Sequence, residues 1–350
     1  MVIGKDLSGS VYKDSSGNIF KIVSDFPEWE ENQNNWNETK TALSLLTSEN
    51  KRYQSILNPT FGSATGYIGG VLAPNGNIYM IPFNASSVSV IDTSTNTIST
   101  FGSATGYVGG VLAPNGNIYM IPRSASSVAV IDTSTNTIST FGSATGYHGG
   151  VLAPNGNIYM IPTAASSVAV IDTSTNTIST FGSATGYAGG VLAPNGNIYM
   201  MPLSASSVAV IDTSTNTIST FGSATGYVGG VLAPNGNIYM IPFNASSVAV
   251  IDTSTNTIST FGSATGYFGG VLAPNGNIYM MPSSASSVAV IDTSTNTIST
   301  FGSATGYQGG VLAPNGNIYM IPRSASSVAV IGGQSSIPND IVLSRYLNKF

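Results

Sequence analysis

Seven nearly identical 40-residue units run without interruption from Phe61 to Ile331, beginning at Phe61, Phe101, Phe141, Phe181, Phe221, Phe261 and Phe301. A fixed period of this length belongs to stacked or circular repeat architectures, in which no single unit can bury its own apolar surface. Two slots break the identity. The residue after the first tyrosine of each unit is Ile68, Val108, His148, Ala188, Val228, Phe268 and Gln308 in turn. The residue after the second proline is Phe83, Arg123, Thr163, Leu203, Phe243, Ser283 and Arg323, with Asn84 and Asn244 following the two phenylalanines.

Within one unit, four short strand candidates alternate with turn signals. Gly69–Ala73 leads to Pro74-Asn75-Gly76-Asn77, whose Asn-Gly pair predicts a type I′ hairpin. Ile78–Ile81 follows and ends at Pro82, which has no N–H for a sheet ladder. Ser87–Ile91 is rich in β-branched residues, Asp92–Asn96 supplies a second turn, and Thr97–Phe101 is the fourth strand. Ile78 and Met80 fall on one face of the second strand, Tyr79 and Ile81 on the other. Apolar groups on both faces mean that each four-stranded unit lies between two neighbours. Radial stacking of such units is a β-propeller, and seven copies make seven blades. A linear solenoid would need polar end caps, which the terminal copies lack.

The seventh copy loses its fourth strand, because Ile331 runs into Gly332-Gly333 and the equivalent positions fall at Ile337-Pro338. Ile56-Leu57-Asn58-Pro59-Thr60, just ahead of Phe61, is the segment expected to replace it and lock the ring. The chain therefore divides into an N-terminal appendage (1–55), an all-β seven-bladed propeller (56–337) and a C-terminal segment (338–350) that Pro338-Asn339-Asp340 marks as a helix start.

The stretch Ser87-Val88-Ser89-Val90-Ile91-Asp92-Thr93-Ser94-Thr95-Asn96-Thr97-Ile98 resembles the repeat of YVTN-type propellers, and Gly70-Val71-Leu72-Ala73-Pro74-Asn75-Gly76 resembles the turn of the same repeat. Tyr79-Met80-Ile81-Pro82 stands where that family has its name-giving tetrapeptide. The resemblance implies a seven-bladed ring found in surface-layer and other binding proteins, and no reaction. Nearer the start, Gly4, Gly9 and Val11 resemble the Gly-rich loop of protein kinases, and Ile19-Phe20-Lys21-Ile22 resembles the lysine-bearing strand that follows it. Lys21 and Glu38 would be the ion pair of such a lobe. No HRD-type loop or DFG follows, so the base and metal-binding carboxylate of phosphoryl transfer are missing. Trp29, Trp36, Leu43 and Leu46 fall near helical spacing.

Composition narrows function further. The chain has 350 residues, a net charge of −5 and no cysteine, which removes disulfides and thiolate metal sites. Between Phe61 and Ile331 the cations are Arg123 and Arg323 alone, too few for nucleic acid, whose binding depends on many Lys and Arg at phosphates. No apolar run reaches the roughly 20 residues that span a bilayer, and no basic start precedes an apolar stretch. The compartment stays open, with the cytoplasm the default and a monomer the expected state. His148 is the single histidine, and Asp92 with its five equivalents supplies one carboxylate per turn, which suits turn stabilisation better than a cation site. No nucleophile–base pair or paired carboxylates emerge, so neither catalytic residues nor a cofactor are expected.

In a propeller blade the connection into the first strand and the second-to-third loop lie at one mouth of the ring. Both variable slots are thus expected there, as exposed loop positions, while the Asn-Gly and Asp-Thr turns at the other mouth stay constant. Loops on a rigid frame commonly carry binding residues, and aromatic and Arg side chains are favoured anchors. The expectation is a non-catalytic scaffold binding a protein or peptide through all these variable residues. The alternatives are a lectin-like ring with repeated sites at Tyr67, Tyr79, Asn75 and Asn77, and a purely structural repeat.

Overall fold

The computed structural model describes residues 2–6, 9–13, 19–22 and 55–332. Seven four-stranded antiparallel sheets stand around a central axis, six of them simple meanders. The first blade comprises Tyr67–Leu72, Ile78–Pro82, Val88–Asp92 and Thr97–Phe101, and five more follow at the same spacing. First strands of successive blades pack on one another, the seventh against the first, so the ring is closed with first strands innermost.

Closure uses the predicted segment. Ile56–Phe61 pairs antiparallel with Val328–Gly332 as the fourth strand of the seventh blade, with Leu57 opposite Ile331 and Phe61 opposite Val328. The ring is thereby fastened by a sheet ladder joining two points far apart in the chain.

Two-faced burial produces one apolar layer in every gap between blades. Tyr79, Ile81, Val88 and Val90 of the first blade meet Ile118, Met120, Ala129 and Ile131 of the second, while Ile78, Met80 and Ile91 meet Val311, Tyr319, Ile321 and Val330 of the seventh. Equivalent clusters fill the other five gaps. The second strands are wholly buried while the fourth strands carry only exposed and half-buried residues, as expected of blades that widen outward into solvent.

Two local details depart from the sequence reading. The Asn-Gly turn is not type I′, which needs positive φ at both central residues. Pro74 holds φ near −65°, Asn75 is not in the left-handed region, and Gly76 alone has φ 83°. Gly76 N donates to Ala73 O and Ala73 N to Asn77 O, the pattern of a type I turn followed by a left-handed glycine. The first strand also starts earlier than expected, at Tyr67, and carries a bulge between Tyr67 and Gly70. Gly69 sits at φ 76° within it, a conformation that glycine adopts without strain.

At the N-terminus, Val2–Asp6, Gly9–Lys13 and Ile19–Ile22 form a three-stranded antiparallel sheet. Glu38, the helix spacing of Trp29–Leu46 and the helix start at Pro338 lie outside the described residues, so the Lys21–Glu38 pairing is not tested.

Candidate functional site at the variable mouth

The bulge decides where the first variable slot goes. By inserting a residue before Gly70, it turns the side chain after each tyrosine toward the ring axis. Ile68, Val108, His148, Ala188, Val228 and Phe268 are buried, and Gln308 is half-buried. The expectation of seven exposed loop positions is therefore corrected: these residues form an axial plug. Ile68, Val108, Ala188, Val228 and Phe268 make one cluster. Phe268 crosses the ring to stand 5.4 Å, centroid to centroid, from His148, three blades away. Burial, reinforced by the charge of Arg123, pulls the His148 imidazole down from 6.5 to about 4, so it is neutral at physiological pH.

The second slot forms a rim above this plug. Phe83, Arg123, Thr163, Leu203, Phe243, Ser283 and Arg323 are all half-buried, and Asn84 and Asn244 behind the phenylalanines are exposed. Phe83, Leu203 and Phe243 rest directly on the plug.

Backbone hydrogen bonds fix the rim loops to one another. Gly66 O accepts from the N–H groups of Phe83, Asn84 and Ala85 at 3.0, 2.9 and 3.2 Å, while Gly66 N donates across the blade gap to Arg323 O at 3.0 Å. The same arrangement recurs at every gap, with Gly106 linking Phe83 and Arg123 next. Each rim loop therefore leans on the plug position of the following blade. Phe243 meets Phe268 edge to face at 5.8 Å. Gln308 Nε2 donates to Ser283 Oγ at 2.9 Å, and Thr163 Oγ1 donates to Tyr187 O beside Ala188 at 2.5 Å.

Paired this way, rim and plug residues match in character. Phe83 precedes Val108, Leu203 precedes Val228 and Phe243 precedes Phe268, all apolar; Arg123 precedes His148 and Ser283 precedes Gln308, both polar. Two pairs do not match: Thr163, which precedes Ala188 and bonds the Tyr187 carbonyl, and Arg323, which precedes Ile68 and stacks over the ring of Phe83 at 5.0 Å. With the Asn84 amide oxygen turned toward it, the Arg323 guanidinium donates to Asn84 from both terminal nitrogens at 3.1 and 3.3 Å.

The opposite mouth is uniform. Tyr79 Oη donates to Asn136 Oδ1 of the next blade at 2.7 Å and accepts from Asn75 Nδ2 at 3.3 Å. The tyrosine carbon skeletons are buried and pack edge to face on phenylalanines such as Phe101, at 6.0 Å. Tyr67 is also buried, its hydroxyl bonded to Ser89. Neither ring offers a flat surface to a sugar.

Each aspartate closes its own turn. Asp92 Oδ1 accepts from Ser94 N, Ser94 Oγ and Thr95 N at 2.8, 2.6 and 3.2 Å, and the Ser94 bonds lower its pKa. Asn96, at φ 55°, ends the turn in the left-handed conformation. A groove of about 570 Å³ lies here between the first and seventh blades, lined by Leu72, Pro74, Asn75, Asn77, Asp92 and Asn315 among others. No group of three or more metal-ligating side chains occurs among the described residues.

No protein-family model and no curated protein matches the chain. Its backbone is similar to that of solved propellers. A streptogramin B lyase superposes with a TM-score of 0.68 at 16% identity, over 81% of this chain and 96% of that one. Virginiamycin B lyase from Staphylococcus aureus gives 0.63 at 13% identity, over 79% and 98%. Kuenenia stuttgartiensis hydrazine synthase gives 0.66 at 15%, over 80% and 98%. Functions this different on one backbone establish the seven-bladed propeller class and leave activity to the side chains.

Proposed function

We propose that this ring is a non-catalytic recognition scaffold that binds a protein or peptide through its rim, from Phe83-Asn84 round to Arg323. The observation that carries the reading is the confinement of accessible variation to one mouth. The exposed Ser, Thr and Asn turns of the other mouth are identical in every complete copy, although they are no less open to solvent. The rim offers Phe, Leu and Arg side chains half-exposed on a frame fixed by backbone bonds, and an ordered surface of that kind costs little entropy on binding. The reading as a non-enzyme rests on the same residues: the single histidine sits neutral inside the plug, and each carboxylate of the propeller is engaged in its own turn. The plug residues take part as the floor that holds the rim.

The test is a variant with Phe83, Arg123, Thr163, Leu203, Phe243 and Arg323 all changed to Ser, the plug left intact. Serine is compatible with the backbone there, since Ser283 already occupies the slot in the sixth blade. Immobilised wild-type and variant rings are compared against a random peptide display library and a glycan array. Peptides retained by the wild type alone support the reading. Glycans held equally by both would move the site to the uniform mouth, where Asn75, Asn77 and Asp92 recur in the first six blades.

A further inference from the structure

The charges of the ring are segregated. Between residues 55 and 332 the ionised side chains are Arg123 and Arg323 together with Asp92, Asp132, Asp172, Asp212, Asp252 and Asp292. All six aspartates lie in turns of the uniform mouth, with pKa values lowered chiefly by the serine two residues on, so that end is anionic. Both arginines lie on the rim of the other end.

Their placement on that rim is also uneven. Arg323, Phe83 and Arg123 belong to the seventh, first and second blades, which are consecutive once the ring closes. A run of backbone bonds ties the three together: Gly66 N to Arg323 O at 3.0 Å, Phe83 N to Gly66 O at 3.0 Å, Gly106 N to Phe83 O at 2.9 Å, and Arg123 N to Gly106 O at 2.9 Å. The fifth blade supplies an internal contrast. It repeats Phe-Asn at 243 and 244, but its neighbours are Leu203 and Ser283.

From this arrangement we propose that the Arg323–Phe83–Arg123 arc is the anchoring subsite of the rim, and that it selects a peptide segment in which acidic residues flank an apolar one. The inference rests on the recognition reading above and adds the chemistry of the partner. A guanidinium has five N–H donors; the two bonds from Arg323 to Asn84 hold its plane over Phe83 and leave further donors for a carboxylate. The pair is charge-assisted and frequently bidentate. Phe83, half-exposed between the two cations, gives the apolar residue its contact. The anionic far mouth and cationic rim make the ring an electric dipole, which orients an acidic segment toward this end during encounter.

The experiment uses the full chain and the random peptide display library, selected on wild type and counter-selected on the six-serine rim variant. Enriched peptides are synthesised, and their affinities are measured by fluorescence anisotropy at low and high salt against wild type, Arg123→Gln, Arg323→Gln and the double variant. The expected result is enrichment of Asp and Glu beside an apolar residue, with affinity falling roughly tenfold or more in the double variant and falling with added salt. Replacing the peptide carboxylates by amides should reproduce the loss. Peptides that depend on the rim, lack acidic residues and change by less than about twofold in the double variant would overturn the arc and leave the recognition reading standing. If no peptide distinguishes the wild type from the six-serine variant, the recognition reading itself fails, and the arc with it. Thermal melts of each variant by circular dichroism confirm that the ring is intact.

Discussion

The two mouths of this ring are made by the same seven copies and follow opposite rules. At the uniform mouth the contacts between blades join only immediate neighbours: Tyr119 Oη to Asn176, Tyr159 Oη to Asn216, Tyr199 Oη to Asn256, all at 2.7–2.8 Å. Six of the seven tyrosines there meet the same surroundings, the asparagine of the next turn, so one solution serves six gaps. At the variable mouth the plug side chains point to a single axis and compete for the same space. Phe268 reaches His148 on the far side of the ring, while Ala188 occupies almost none of that volume. Seven phenylalanines would overfill the axis and seven alanines would leave it hollow. A mixture of sizes is a packing solution, so variation at the plug and variation at the rim have different causes.

The largest expected break in this comparison is at Phe268. The ring is 5% exposed and central to the plug, so Phe268→Ala should destabilise the fold by about 3–5 kcal/mol, the usual cost of emptying a buried aromatic site. Val228→Ala in the same cluster should cost less, in proportion to the smaller volume removed. Urea unfolding of both variants checks the order. A loss at Phe268 no larger than at Val228 would mean that the axis is not packed as a core.

A second break is electrostatic and local to the third blade. His148 has a folded-state pKa of about 4 against 6.5 unfolded, through burial first and the charge of Arg123 second. Above pH 6.5 both states are neutral and nothing is lost. As pH falls from 6.5 toward 4 the unfolded chain takes up a proton that the native ring refuses, so stability declines across that window by about 3 kcal/mol in all. His148→Gln, which places in the third blade the residue that Gln308 provides in the seventh, should flatten the profile between those values. The aspartates act below the window: their folded pKa values are lowered, so the stability they give is present above 3.8 and is lost as pH falls further. Urea midpoints at several pH values separate the two effects.

Much of the frame was legible because repetition multiplies weak signals. The two-faced second strand, with Ile78 and Met80 opposite Tyr79 and Ile81, recurs seven times, and the missing fourth strand at Ile337-Pro338 pointed to Ile56–Phe61 as its replacement. The fate of the first slot was not legible. Whether Ile68 faces solvent or the axis depends on the bulge at Gly69, and a Gly-Gly pair carries no mark of which residue will take positive φ. The Asn-Gly turn misled for a related reason: Pro74 ahead of it fixes a conformation that the dipeptide alone does not reveal. One signal was present unread. Comparing the rim residue of each copy with the plug residue of the next matches Phe243 with Phe268 and Ser283 with Gln308, but the comparison has meaning only once the ring brings them together.

The smallest expected effect sharpens the comparison from the uniform side. If the mouth is as regular as its bonds, Tyr→Phe should cost the same, about 1 kcal/mol, at Tyr79, Tyr119, Tyr159, Tyr199, Tyr239 and Tyr319, because each hydroxyl donates to the asparagine of the next turn at 2.7–2.8 Å. Tyr279 is the exception. The blade after it has no Asp-Thr turn, and its hydroxyl is bonded at 2.6 Å to Ser55, ahead of the closing strand. Tyr279→Phe should therefore be non-additive with Ser55→Ala, whereas Tyr159→Phe combined with Ser55→Ala should be additive, since distant sites without shared partners do not couple. Urea midpoints for the two double-mutant cycles measure this. Coupling confined to the Tyr279 pair would show that the closing segment takes over the role of the absent turn; equal coupling in both would mean that Ser55 steadies the ring as a whole and not that one gap.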